Sequence, residues 1–283
     1  MRRIDDPAKE NCEQVVIDDI GDLPGDILRD VEVVVHLAGK AHDLSGSESL
    51  VSEFRRVNVE ATARLADLAK SAGVRRFIFQ SSVGVCGNAT RGMAFTEDWT
   101  PDPETDYAVS KLASEVAILE IVNGSSMQLV LIRPPLVYSA SAPGNFARLL
   151  RLVSLGIPLP FRNTGNKRSI IALENLVDFI GRCIEHPLCE HSLFLVSDGE
   201  DVSTEDIVRY LARGMDKRVF LFPVPKKAAS ALASALGKTQ MYTQLFGSLM
   251  IDSSKARETL QWVPRLAVKD ALIRAGREFS HSS

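Results

Sequence analysis

The stretch "VNVEATARLADLAKSAGVRRFIFQSS" (57–82) sets two periodicities back to back. Apolar residues recur at helical spacing as far as Gly73, a glycine standing where a helix C-cap needs one. The run "RRFIFQSS" (75–82) then reads as a buried strand that ends in two serines. The runs "QVVI" (14–17), "EVVVHLA" (32–38) and "LVLIRP" (129–134) read the same way, with helical patterns over 48–72 and 107–122 between them. Strands alternating with longer helical segments predict a wound α/β parallel sheet with crossover helices. After Pro134-Pro135 the pattern predicts a helix near 145–155, a strand near 169–172, the helix "ENLVDFIGRCIEH" (174–186) and the strand "SLFLVSD" (192–198). A helix opening at Ser203, with Asp206 in its first turn, comes next. The tail "DSSKARETLQWVPR" (252–265) reads as a capped helix stopped at Pro264. The expected division is a sheet domain over 1–135, with 170–198 returning to it, and a smaller mixed α/β domain mainly over 136–283.

The 283 residues are 45% hydrophobic and 24% charged, with a formal net charge of -3. That composition suits a globular chain and shows no overall basic field to attract nucleic acid or an anionic membrane. The apolar runs "MQLVLIRPPLV" and "AASALASAL" fall short of the roughly 20 residues of a membrane span. Cys12, Cys86, Cys183 and Cys189 are scattered, which argues against a metal ribbon or a disulfide framework. They read as reduced thiols of a cytoplasmic protein, with no metal site.

Chemistry is expected at the carboxyl ends of the parallel strands. The strand 75–80 delivers Ser81 and Ser82 there, and the next helical pattern opens with "DYAVSK" (106–111). Tyr107 and Lys111 stand four residues apart, on one helix face. An ammonium beside a phenol should favour the phenolate, so that Tyr107 exchanges protons nearer neutrality than pH ~10. Ser82 would donate to a developing oxyanion.

The ordered set "IDDIGD" (17–22), "VVVHLAGKAHD" (33–43), "VNVEATARLADLA" (57–69), "FIFQSSVGVCG" (77–87), "FTEDWTPDPETDYAVSKLASE" (95–115), "LVLIRPPLVY" (129–138), "GNKRSIIALENLVDFI" (165–180) and "LFLVSDGEDVST" (193–204) resembles the extended short-chain dehydrogenase/reductases. The resemblance is to their NAD-dependent nucleotide-sugar epimerase/dehydratase group, UDP-glucose 4-epimerase-like, and covers nearly the whole chain. It implies a Rossmann-type doubly wound sheet with a substrate domain. It also implies a UDP-sugar 4-epimerase or a 4-keto-reductase/dehydrogenase that works by hydride transfer with NAD, NADP staying open, in surface-polysaccharide biosynthesis. Carried over by position, Ser82, Tyr107 and Lys111 are the catalytic triad. Asp19, Leu37, Ala38, Gly39, Asn58, Pro134 and Val137 are the cofactor contacts. Ser82, Asn145 and Arg168 are the substrate contacts, Arg168 facing a diphosphate. His36 reads as a structural residue at a strand end. A homodimer through the helices near 48–72 and 107–122 is implied as well. A dehydratase is disfavoured, because Val83-Gly84 follow Ser82 where that chemistry uses an acid pair.

The family opens with strand, GxxGxxG turn, helix and second strand, about 30 residues by the size of such a unit. About thirteen residues precede the run matched to the third strand, and that glycine spacing is not among them. The expectation is a cofactor domain lacking strands 1 and 2 and the pyrophosphate-binding loop, through truncation or a real shortening. The rival reading is a non-catalytic nucleotide-sugar or partner-binding protein on a degraded scaffold of the same kind.

Overall fold

The computed structural model describes residues 23–24, 26–40, 48–187 and 191–282. Its main sheet holds β1 (Val33–His36), β2 (Arg76–Gln80), β3 (Gln128–Arg133) and β7 (Ser192–Leu195), all parallel, in the order β1-β2-β3-β7. Strand alternation divides its side chains between two layers. Phe77, Phe79, Leu129 and Leu131 pack with Leu65, Ala66, Ala69, Ile118 and Val122 of the helices α2 (Ala61–Ser71) and α3 (Asp106–Val122). Ile78, Val130, Ile132 and Phe194 face the other way, onto Leu176 and Phe179 of α5 (Leu173–Glu185) and onto Trp262. Burial on both faces explains why these strands read as unbroken apolar runs. The helical pattern before β2 is one continuous rod: α1 (Glu48–Phe54), a π-helical turn over Arg55–Glu60, and α2. Gly73 caps it with a φ of 77°, as its position in the sequence required.

The rest of the chain forms a second core. Two short parallel pairs, β4 (Leu136–Tyr138) with β6 (Ile170–Ala172) and β5 (Leu159–Arg162) with β8 (Leu221–Pro223), flank the helices α4 (Gly144–Ser154), α6 (Thr204–Gly214) and α10 (Val268–Ser282). Phe146, Leu150, Val208, Leu211 and Leu272 are among its fully buried side chains. The helix expected from Ser203 is α6, which starts with a capping box between Ser203 and Asp206. The tail helix α9 (Ser254–Leu260) stops earlier than expected. Gln261 takes the left-handed conformation with a φ of 51°, so the chain leaves the helix three residues before Pro264. Its N-cap Ser253 also makes no capping bond; Asp252 Oδ1 accepts from Ser254 N instead. The helices α7 (Lys226–Ala235) and α8 (Thr239–Phe246) pack against each other at the surface, and neither has a fully buried residue. The expected strand 14–17 lies outside the described residues.

The crossing of α6 with α10 depends on two glycines. A Cβ on Gly276 would stand 2.4 Å from the Leu211 carbonyl oxygen, and one on Gly214 would stand 2.0 Å from that of Ile273. Gly181 is also helical, in α5, but a Cβ there would meet nothing within 4 Å. Gly276→Ala should therefore cost about 1–3 kcal/mol by forcing the helices apart. Gly181→Ala should gain up to about 1 kcal/mol from helix propensity. Urea unfolding of the two variants is expected to move the midpoint in opposite directions.

Candidate active site

The carboxyl ends of β1, β2 and β3 meet the first turns of α3. Thr105 accepts from Ala108 N and caps α3, which fixes its start and sets Tyr107 and Lys111 one turn apart. Lys111 is only 4% exposed. Its Nζ donates to the Gln80 carbonyl at 2.9 Å and lies 4.5 Å from the centre of the Phe79 ring. A Cβ on Gly39 would stand 3.2 Å from that same nitrogen. The ammonium thus bonds the last residue of β2 and lies close to the loop that follows β1. Ser82 caps the 3-10 turn Val83–Val85, its Oγ accepting from Gly84 N at 3.1 Å. Val83 N donates to the Pro134 carbonyl, which ties this turn to the end of β3. Gly84 is also close to Ala108, next to Tyr107: a Cβ there would be 3.3 Å from the Ala108 methyl. Ser81 Oγ is buried and has no hydrogen-bond partner.

Asn58 sits in the π-helical turn and is 1% exposed. Its Oδ1 accepts from Lys40 N at 2.8 Å, and its Nδ2 donates to Lys40 O at 3.0 Å and Ser110 Oγ at 2.9 Å. With its amide so engaged, what Asn58 offers the site is the placement of the loop after β1 against α3. Irregular helical turns of this kind are frequent where a side chain must be aimed. His36 donates or accepts with Thr62 Oγ1 at 2.8 Å, and its pKa falls to about 4 through burial first and the Lys111 charge second. It is a neutral core histidine.

Deeper in the same layer, Arg133 and Glu115 form a two-pronged buried ion pair, at 2.9 Å (Nε–Oε1) and 2.5 Å (Nη2–Oε2). Arg133 Nη1 reaches Cys86 Sγ at 3.5 Å. Sequence reasoning did not single out this pair. Its signals were an arginine inside a buried strand run and a glutamate four residues after Lys111, on the same face of α3.

The expectation for the phenol is not met. Burial raises the Tyr107 pKa, and the same cause lowers Lys111 to about 8, Glu115 opposing. The ammonium is directed at the Gln80 carbonyl and the Phe79 face, and desolvation outweighs whatever help it gives the phenolate.

The remaining expected contacts form a second group, around α8. Asn145 is exposed at the start of α4; its Nδ2 donates to Gln244 Oε1 and its Oδ1 accepts from Arg148. Arg168 is 9% exposed and donates through Nη1 to the Gly247 carbonyl at 3.2 Å. Burial lowers its pKa to about 10, and no carboxylate among the described residues pairs with it. The segment Ser248–Ile251 joins the two groups by bonding to Thr90 and Phe95, in the loop that follows the Ser82 turn. Leu37, Ala38 and Gly39 lie exposed beyond β1, Pro134 is buried, and Val137 is half-buried in β4. Asp19 lies outside the described residues.

The NAD dependent epimerase/dehydratase family matches residues 5–191. The UDP-glucose 4-epimerase of Vibrio cholerae is 41% identical over 255 residues, which span 89% of this chain and 78% of that protein. The chain belongs to this epimerase/dehydratase family. Among solved structures, MoeE5 in complex with UDP-glucuronic acid and NAD superposes with a TM-score of 0.75 at 22% identity, over 95% of this chain and 86% of that one. UDP-glucuronic acid 4-epimerase from Bacillus cereus, in complex with NAD, gives 0.74 at 21%, over 93% and 79%. At those identities the structures speak for the fold, which is the Rossmann-like fold expected. The main-sheet order fits it, and Ser82, Tyr107 and Lys111 fall near the strand ends where such folds bind ligands.

Lys111 gives the site a pH signature. Its folded pKa of about 8 lies below the ordinary lysine value of 10.5, so the buried charge costs stability below pH 8, and that cost fades as pH rises towards 10.5. Lys111→Met should raise stability by about 1–3 kcal/mol at pH 7, a gain that vanishes by about pH 10.5. Thermal unfolding across that range tests it, and a gain independent of pH would contradict it.

Proposed function

We propose that the chain is a nucleotide-sugar 4-epimerase acting on a UDP-sugar, with Ser82, Tyr107 and Lys111 as its catalytic residues. The observation that carries the reading is Lys111, buried at the ends of β1 and β2 one helical turn from Tyr107. The relative at 41% identity supports epimerase over the reductase or dehydrogenase alternatives. The Ser82 hydroxyl accepts from Gly84 N, which leaves its own hydrogen free to donate to a sugar oxygen. The Tyr107 phenol, neutral when the site is empty, holds the proton that passes to or from that oxygen. Lys111 holds its charge at neutral pH and steadies the phenolate while the proton is away.

Two features suit the nicotinamide half of NAD. The Gly39 backbone approaches Lys111 and Asn58 so closely that a side chain would have to displace them, and Ser81 Oγ is an orphaned buried hydroxyl at the strand end. Leu37, Ala38, Gly39, Pro134 and Val137 would hold the group, and Asn58 would place the loop. When bound, NAD supplies the acceptor and donor of hydrogen at the sugar carbon. Arg168, a buried guanidinium served by the Gly247 carbonyl, suits the diphosphate, and Asn145 bonds Gln244 of α8, three residues before that glycine.

Tyr107→Phe is expected to lower UDP-sugar epimerisation at least about 100-fold while leaving UDP binding intact. Unchanged turnover would remove Tyr107 from the mechanism. Calorimetric titration with NAD and with UDP separates the readings further: UDP binding without NAD binding favours the non-catalytic scaffold.

A homodimer is part of the proposal. Along α3, Val109, Ala113 and Val116 are exposed at i, i+4 and i+7, with Leu119 beside them, and Val51 of α1 is 56% exposed. An apolar stripe on a charged surface suits a paired helix face. Val116→Glu should halve the mass seen by light scattering, and an unchanged dimer would place the contact elsewhere.

A further inference from the structure

The helix α7 exposes its leucines. On α7, Ala228, Ala231, Leu232, Ala235 and the C-capping Leu236 are exposed at i, i+3, i+4, i+7 and i+8, one face of a helix. Leu232 and Leu236 are 62% and 60% exposed. The less exposed positions are Ala229, Ser230 and Ala233, so neither leucine of this stretch faces inward. The helix α10 shows the ordinary arrangement, with Lys269, Asp270, Arg274 and Arg277 at its exposed positions and Leu272 in the core. The apolar surface continues to Met241 on α8, 43% exposed, and Phe220, 65% exposed, lies just upstream.

Charge narrows the choice of partner. From Lys217 to Ile251 the chain carries Lys217, Arg218, Lys226, Lys227 and Lys238, and no Asp or Glu. A chain of net charge -3 thus concentrates five cations and no carboxylate in the segment that exposes its leucines. Five cations with no carboxylate in this segment would repel a second copy of it, whereas exposed leucines in a cationic segment complement an anionic lipid surface. No helix among the described residues is long and apolar enough to cross a membrane, so the attachment would be peripheral.

We infer that the α7–α8 pair docks the protein on an anionic lipid bilayer, Leu232, Leu236 and Met241 entering the interface and Lys226, Lys227 and Lys238 meeting the headgroups. The outward α7 is anchored through α8, whose end is fixed by Thr204 and Asn166 on Leu245 O and by Asn166 and Arg168 on Gly247 O. The docking face and Arg168 therefore share one short element, which places the candidate substrate side of the protein close to the lipid.

Flotation with vesicles of phosphatidylglycerol and phosphatidylethanolamine tests this with the full chain and needs no substrate. The wild type is expected to float with these vesicles at least tenfold more than with phosphatidylcholine alone. Binding should weaken several-fold at about 0.5 M salt, where the screening length is only about 4 Å. Leu232→Asp/Leu236→Asp should lose it at least tenfold with circular dichroism and oligomeric mass unchanged, both residues being exposed; Lys226→Glu/Lys227→Glu should lose it through charge alone. No flotation of the wild type, or equal flotation of the leucine variant, overturns the proposal. So does a fall in oligomeric mass caused by the leucine variant in the absence of vesicles, since a second copy would then be the occupant.

Discussion

The hydrogen bond from Lys111 Nζ to the Gln80 carbonyl is the constraint around which the site is arranged. A parallel sheet leaves the carbonyls at its strand ends without ladder partners, and a long cationic side chain from a crossover helix can reach one of them. It can do so only if the helix starts at a fixed phase, which Thr105 sets. It also needs the neighbouring strand to end without a side chain in the way, which Gly39 provides. Asn58 holds the loop that follows, and Ser110 connects that clamp to the same helix. The catalytic candidates are thus positioned by backbone contacts of the sheet, with little left to mobile loops.

Below this layer lies an unusual concentration of buried charge. Lys111, Glu115 and Arg133 are all nearly fully buried, and Arg133 also reaches Cys86. Glu115 serves both cations: it opposes the lowering of Lys111 and grips Arg133 with two hydrogen bonds. Breaking such a pair strands a charge and costs several kcal/mol, while the intact pair adds little net stability. Glu97 also acts on Cys86, so the cluster sets two carboxylates against the two cations. Arg168 is a second, separate buried cation, lowered by burial.

The main sheet was legible because burial on both faces writes strands as continuous apolar runs, and α3 because Tyr107 and Lys111 share one face. Gly73 and the Ser203 capping box were legible because their backbone geometry demands particular residues. Other features depend on contacts distant in sequence. The strands β5 and β8, at 4 and 3 residues, carry too few side chains for a periodicity. The α6–α10 crossing rests on Gly214 and Gly276, whose spacing says nothing of each other. At Gln261 the backbone turned left-handed without the glycine that usually advertises it, so the proline downstream misplaced the helix end. For Tyr107 the sequence showed the neighbouring lysine and not the depth of burial, and burial decides the direction of its pKa.

Charge misleads most when it is averaged. A formal charge of -3 describes a surface that repels anionic lipid, yet a local field falls off within about 8 Å in physiological salt, so distant carboxylates do not cancel a lysine cluster. The same averaging hides apolar exposure: "AASALASAL" is too short to span a bilayer, and a core helix of that composition would be unremarkable. Only its orientation, with Ala229 and Ala233 turned inward and Leu232 and Leu236 outward, separates a surface helix that meets lipid from one that completes a core. Orientation follows from what the neighbouring helix already covers. Because α8 is tied at its end to Asn166, Arg168 and Thr204, α7 is left to face outward with the leucines it carries.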